Sequence, residues 1–245
     1  FGLVSTLLSA WTGDGSGYQV AKTQPMKLAA MEGYYEGREG AGLVAVGLLN
    51  PDKEKYNDGK DPFIFRVEIP QMLSLLAKRE LNAFVPGVKD IIEGGYVQKD
   101  GTVALSAAEK IERGKKAIAA LASYRSAKKE GNTATADSAY VTLQENMAYF
   151  GYGYIKDVHH LVPNVPITFY AFRIMVMLGF YFILFFAVVL FLVYKDKLAE
   201  MKWMHWIALL TIPLGYIAAE AGWVVAECGR QPWAIQDLLP TAGSV

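Results

Sequence analysis

The stretch IMVMLGFYFILFFAVVLFLVY, residues 174–194, carries no charged side chain. As a helix rising about 1.5 Å per residue it is long enough to cross the roughly 30 Å hydrocarbon core of a bilayer. With Ile167–Arg173 included, that helix starts just after Pro166, a residue that interrupts helix interiors. A second apolar run extends from Trp203 to about Ala226, broken by Pro213 and Glu220. Residues 1–11, FGLVSTLLSAW, are too short to cross alone and read as the last turns of a helix that begins earlier. Trp11, Tyr170, Tyr194, Trp203 and Trp206 lie near span ends, where aromatic belts form. The predicted fold is an α-helical integral membrane protein, a helix bundle.

Between the two full spans lies KDKLAEMK, residues 195–202, with three lysines in eight positions. Short loops rich in Lys and Arg stay cytoplasmic, so parity places 12–166 and the segment after 228 on the periplasmic side of a multi-pass protein. The 12–166 segment is patterned as a mainly α extramembrane loop domain. TQPMKLAAMEGYYEG predicts a short helix with Pro25 in its first turn. AGLVAVGLL and PFIFRVEIP predict two strands of a β hairpin around the turn-rich PDKEKYNDGKD. PQMLSLLAKREL reads as an amphipathic helix, and 105–129 and 134–150 as a helical hairpin broken at KKEGNTA. The boundaries expected are 1–11, 12–166, 167–194, 195–202, 203–228 and 229–245, the last holding a GRQPW loop and the start of another helix.

The 245 residues carry 24 basic and 24 acidic side chains, so bulk charge selects no nucleic-acid partner. A single cysteine, Cys228, excludes an internal disulfide. The chain opens on an apolar run without Met and stops at PTAGSV, and is expected to be a piece of a longer membrane protein.

Several residues do not suit plain spans. Glu220, Trp223 and Glu227 are spaced i, i+3, i+7, which puts them on one helix face. Acids within a span cost a few kcal/mol on insertion scales and ordinarily face a partner or a polar interior. Solvation in the headgroup region is the bland alternative for Glu227, and a weaker one for Glu220, about two turns deeper. Arg173 either snorkels to the interface or clamps an anion such as a cofactor carboxylate with its forked donors. Met175 and Met177 are packing material or, through a thioether, haem ligands. Antiparallel helices place Arg173 and Glu227 at similar depth. His159 and His160 are adjacent and point apart, so they do not share a metal. No P-loop, dinucleotide fingerprint, HExxH, CxxC or nucleophile elbow occurs.

GWVVAECGRQPWAIQDLLPT, FRIMVMLG and KTQPMKLAAMEGYYEG resemble, in order and spacing, subunit I of the cytochrome bd family of quinol oxidases, in the form with a long quinol loop. The resemblance implies Met175 as the ligand of a low-spin haem b, with Arg173 beside it. It implies Glu227 at the iron of a high-spin haem b, Trp223 between haems, and Arg230, with Gln231 and Trp233 of GRQPW, around haem carboxylates and macrocycles. Lys27 and Glu32 match the pair implicated in quinol oxidation. Helix geometry alone favours Met177 over Met175 as the partner of Arg173, since positions two apart diverge by about 200°. Histidine haem ligands of the family lie in helices before residue 1.

The function implied is a quinol:oxygen oxidoreductase of the bacterial inner membrane, electrogenic without proton pumping. Quinol, ubiquinol or menaquinol, is oxidised at the outer loop, and electrons pass through haems b to haem d, where O2 becomes water. Membrane lipid, a second oxidase subunit and small accessory subunits are the implied partners. Two other readings remain: a transporter, whose acids line a substrate path and which binds no chromophore, and a two-helix sensor with an outer ligand domain.

Overall fold

The computed structural model describes residues 1–98 and 101–243, and these are mostly helical. Two helices dominate: α7, Val165–Tyr194, and α8, Lys202–Gly229. Both are long and apolar enough to cross a membrane. Asn164 caps α7, its side chain accepting from the Ile167 N–H at 3.1 Å, and Pro166 sits in the first turn where its missing N–H costs nothing. Most of their large apolar side chains, Phe180, Leu184, Phe191, Leu209 and Leu210 among them, are exposed. Faces that apolar are covered by lipid or by other protein.

α7 and α8 are antiparallel and close. A Cβ built on Gly229 would lie 3.2 Å from Thr168 Cγ2, and one on Gly222 would lie 3.1 Å from Met175 Sδ. Seven residues separate the contacts on each helix, so the register is well defined. Farther along, the Tyr181 and Thr211 hydroxyls share a hydrogen bond of 2.6 Å. Pro213 lies inside α8 without ending it.

α1 spans Gly2–Thr23, and so continues well past Trp11. The reason is tertiary. Glycines at 13, 15 and 17 disfavour a helix by up to about 1 kcal/mol each. Against that, Asp14 is gripped by both terminal nitrogens of Arg79 (2.5 and 3.2 Å), and Tyr18 lies between Lys22 and Arg79. α2 follows at once, Pro25–Glu32, ending on Gly33 in the left-handed conformation that a Cβ disfavours.

The remaining elements form a polar unit. β2 (Leu43–Leu49) and β3 (Phe63–Ile69) make the expected antiparallel hairpin, with two register shifts. β1 (Arg38–Glu39) pairs with β4 (Phe84–Val85). α3 is shorter than its sequence pattern, Met72–Lys78, and α4 is Val88–Glu93. α5 (Ala107–Glu130) and α6 (Thr133–Asn146) form the helical hairpin. A reciprocal cap at Ser106 and Glu109 starts α5, and left-handed Gly131 ends it. Where α6 was expected to reach 150, MAYFGYGY instead tightens into a 3-10 helix, Met147–Tyr154. Two glycines explain this: Gly153 lies so close to Gly114 that a Cβ at Gly114 would overlap its backbone, so the segment hugs α5, and Gly151 packs on the backbone of Asp237 and Leu238. After α8 the chain forms a small hairpin, β5 (Trp233–Ile235) with β6 (Leu239–Pro240), then a 3-10 turn at Thr241–Gly243. Trp233 joins Ala29, Val88, Ile91, Ile92, Ala107 and Leu161 in the core of the polar unit.

Candidate functional site

The site lies where α2 crosses the start of α7 and the end of α8. Its centre is an ion pair. Arg173 donates through Nη2 to Glu32 Oε2 at 2.6 Å and through Nη1 to Oε1 at 3.4 Å. Glu32 is 3% exposed and Arg173 9%. The guanidinium also lies over the Phe169 and Phe172 rings, 4.7 and 5.2 Å from their centroids. Burial pushes the Glu32 carboxyl up, and the Arg173 charge partly offsets that. Such a pair adds little net stability when complete, but losing one partner costs about 3–5 kcal/mol because a buried charge is left alone.

Lys27, one turn before Glu32 on α2, points elsewhere. Its stem runs over Gly229: a Cβ there would meet Lys27 Cγ at 3.1 Å and Cε at 3.3 Å. Burial lowers its ammonium pKa, the Arg230 charge adds to that, and Glu227 opposes it. Arg230 in turn donates to Glu227 Oε2 at 2.7 Å. Lys27 therefore belongs with the end of α8, and Glu32 with the start of α7. The family resemblance treats the two as one pair on the outer segment; the fold ties each of them to a different membrane helix.

The other sequence-derived residues are placed as follows. Met175 faces α8 at Gly222, while Met177 points outward and is 57% exposed. By the Thr168–Gly229 and Met175–Gly222 register, Arg173 is level with about residue 224 and Glu227 with about residue 170, roughly 4.5 Å apart along the axis. Trp223, 64% exposed, presents its ring away from the chain, and Glu220 is exposed too. Gln231 is occupied locally, donating to the Glu227 carbonyl at 3.3 Å and accepting from Thr241 Oγ1 at 3.1 Å. Trp233 stacks edgewise on Tyr152, centroids 4.8 Å apart, inside the polar unit.

Sequence reasoning missed the Glu32–Arg173 pair, since 141 positions separate its members. It also missed the Tyr152 hydroxyl, which donates to Asp237 Oδ1 at 2.6 Å and pins the β5–β6 hairpin. Burial and Asp237 together push the Tyr152 phenol far up. Gly215, Gly222 and Gly229 recur every seven residues on α8, a readable hint of a close approach, though only Gly222 and Gly229 meet α7 and its neighbours.

Three cations (Lys27, Arg173, Arg230) face two carboxylates (Glu32, Glu227) here, leaving one positive charge in excess. Among the described residues, the Nε atoms of Arg173 and Arg230 are buried with no acceptor. A thioether at the helix interface, two donors without acceptors and an open indole face suit a flat, anionic macrocycle with a metal centre. Among the described residues, no group of three His, Cys, Asp or Glu could hold a bare metal ion.

Two long apolar helices joined to a polar unit through a buried carboxylate–guanidinium pair define a mostly helical membrane protein. The family described as cytochrome bd terminal oxidase subunit I matches residues 1–245, and the chain belongs to it. It is 32% identical to cytochrome bd-II ubiquinol oxidase subunit 1 of Escherichia coli (strain K12), over 98% of this chain and 46% of that one. Cytochrome bd ubiquinol oxidase subunit 1 of Bacillus subtilis (strain 168) is 26% identical, over 100% of this chain and 39% of that one. The bd oxidase structure from Geobacillus thermodenitrificans superposes with a TM-score of 0.59 at 25% identity, covering 98% of this chain and 38% of that one. The chain thus spans less than half the length of these relatives.

Proposed function

We propose that this chain is part of subunit I of a haem-containing terminal quinol oxidase. Lys27 and Glu32 serve quinol oxidation on the periplasmic side, and Met175, Glu227, Arg173, Arg230 and Trp223 hold the cofactors. The observation that carries this is the Glu32–Arg173 pair, which fixes a helix of the polar unit two residues from Met175. The family match and the two apolar helices support it.

When bound, haems b and d supply reversible one-electron transfer and O2 reduction. The chain's own residues do the rest. Met175 would offer a thioether and Glu227 a carboxylate to the haem iron. Arg173 and Arg230 have Nε–H donors left for propionates. Lys27, poised by burial to release its proton more readily, can orient or polarise a quinol oxygen. Glu32 holds Arg173 in place, so an effect of Glu32 on quinol oxidation is felt at the haem side as well. The Lys195–Lys202 turn supports a cytoplasmic loop and a periplasmic polar unit. A second subunit and accessory subunits complete the enzyme.

The test is a reduced-minus-oxidised visible spectrum of the purified full-length oxidase together with oxygen uptake on quinol. Lys27→Ala should lower uptake strongly while haem content stays near wild type. Met175→Leu should remove the six-coordinate low-spin signature, and Met177→Leu should leave it. A protein without a haem spectrum, or one whose rate ignores Lys27, overturns the reading.

A further inference from the structure

The β2–β3 hairpin carries an apolar face that none of the described residues covers. Val46 pairs directly with Val67 and Leu48 with Phe65, so the four side chains stand together on one side, and all are about half exposed. Ile69 extends the patch along β3, and Leu75 and Leu76 on α3 and Leu81 just after it are exposed too. A contiguous apolar surface of this kind marks a contact with lipid or protein.

Its depth decides which. α1 runs against α7 with Gly2 on the Phe186 ring. At equal rise along both helices, Asp14 is level with about residue 174 of α7. Asp14 is bonded to Arg79, the C-cap of α3. The end of α3 therefore lies about 13 Å past the start of α7, alongside its apolar length. The hairpin is tethered at a similar depth: the Leu49 N–H donates to the Tyr170 hydroxyl at 3.0 Å, and the Phe63 and Phe169 rings meet edgewise at 5.6 Å. Tyr170 itself belongs to an exposed stripe of α7, Ile167, Tyr170, Ile174 and Met177, at i, i+3, i+7, i+10. The end of the hairpin at Leu49 and Phe63 thus meets the bare side of an apolar helix. The charges nearby are partly offset, Glu68 taking both Arg38 at 2.6 Å and Arg66 at 3.2 Å, and the one positive charge left over suits anionic headgroups.

We infer that the β2–β3 hairpin and α3 form a lipid-contact surface seated at the boundary between headgroups and acyl chains, with the exposed Val46, Leu48, Phe65 and Val67 side chains against lipid. The inference rests on α7 crossing the membrane. The two-stranded hairpin keeps one open edge on each strand, whose backbone groups need water or headgroups, and this holds it at the boundary and out of the hydrocarbon core. The hairpin then anchors the polar unit to the membrane beside α7, in addition to the side-chain ties that join the unit to α7 and α8.

Nitroxide labels at Leu48→Cys, Val67→Cys, Lys55→Cys and Phe180→Cys of the oxidase in phospholipid nanodiscs test this, with the parent protein, whose cysteine in this chain is Cys228, as background. Collision with dissolved oxygen should exceed collision with a water-soluble nickel complex several-fold at 48, 67 and 180, and the order should reverse at 55. Nickel favoured at 48 and 67 while oxygen is favoured at 180 overturns the inference and leaves the membrane reading standing. Exclusion of both reagents at 48 and 67 also overturns it, because a protein partner then covers the face. Water-like behaviour at 180 sinks the membrane reading itself. Photoactivatable phospholipid added to the unmodified protein should label the 63–69 peptide; labelling confined to α7 and α8 counts against the inference.

Discussion

The chain builds two antiparallel helix pairs, α5–α6 and α7–α8, on opposite principles. α5–α6 buries small residues, Ala107, Ala117, Ala120, Ala127 and Ala136, and turns its charges outward. Its ends are satisfied by local caps at Ser106, Gly131 and Asn132. α7–α8 turns bulky apolar groups outward and keeps its polar groups matched inside: Tyr181 to Thr211, Arg173 to Glu32. The first pair is written for water and depends on propensity and caps. The second is written for lipid, and its stability concentrates in a few buried polar contacts and close glycine approaches. Single substitutions should therefore hit the two pairs unequally.

The largest effect belongs to Arg173→Ala. It leaves Glu32 buried and unpaired, and should destabilise the detergent-solubilised protein by about 3–5 kcal/mol near neutral pH. The sign with pH is set by Glu32. Burial already raises its carboxyl, and losing Arg173 raises it further. A raised carboxyl is tolerated below the unfolded value and penalised as pH climbs through the folded one. Thermal melts should thus show the variant recovering part of its loss toward acidic pH. A loss that does not vary with pH would show that packing on Phe169 and Phe172, and not the charge pair, is what Arg173 contributes.

Gly114→Ala is the next test. In an open helix the change gains up to about 1 kcal/mol. Here the new Cβ strikes the Gly153 backbone, so a loss of about 1–3 kcal/mol is expected. Ser106→Ala removes one half of the α5 cap and should cost about 1 kcal/mol in the same melts. Lys116→Ala breaks an exposed pair with Glu112 of 2.9 Å and should shift stability by no more than about 0.5 kcal/mol. If Lys116→Ala rivals Arg173→Ala, the contrast between the two pairs fails.

Much of this was legible in the sequence. Hydropathy located α7 and α8 to within two residues at each end, because a span of uncharged residues has few alternative structures. Two short strand-like runs around the turn-rich PDKEKYNDGKD located β2 and β3, and the break at KKEGNTA located the α5–α6 hairpin. The extension of α1 was hidden, since TGDGSG reads as loop until Arg79 supplies a partner for Asp14. The 3-10 segment after Asn146 was hidden for a similar reason, as its geometry answers to Gly114 on another helix. Of the candidate site, the residue types were readable and their pairing was not. Lys27 and Glu32 share a short helix yet reach different spans, a consequence of how α2 crosses α7 and α8.

The glycines of α8 have one more effect. Hydropathy alone would let two apolar helices slide along each other, because lipid is indifferent to which Leu it meets. Gly222 and Gly229 act as notches that receive Met175 and Lys27 with Thr168. Sliding α8 by one turn, about 5.4 Å, would drive bulky side chains into both places at once. It would also shift Glu227 relative to Arg173 by more than the roughly 4.5 Å that now separates their levels. These two positions without side chains therefore act as the molecule's ruler: they set how deep its charges lie, to within a fraction of a helical turn.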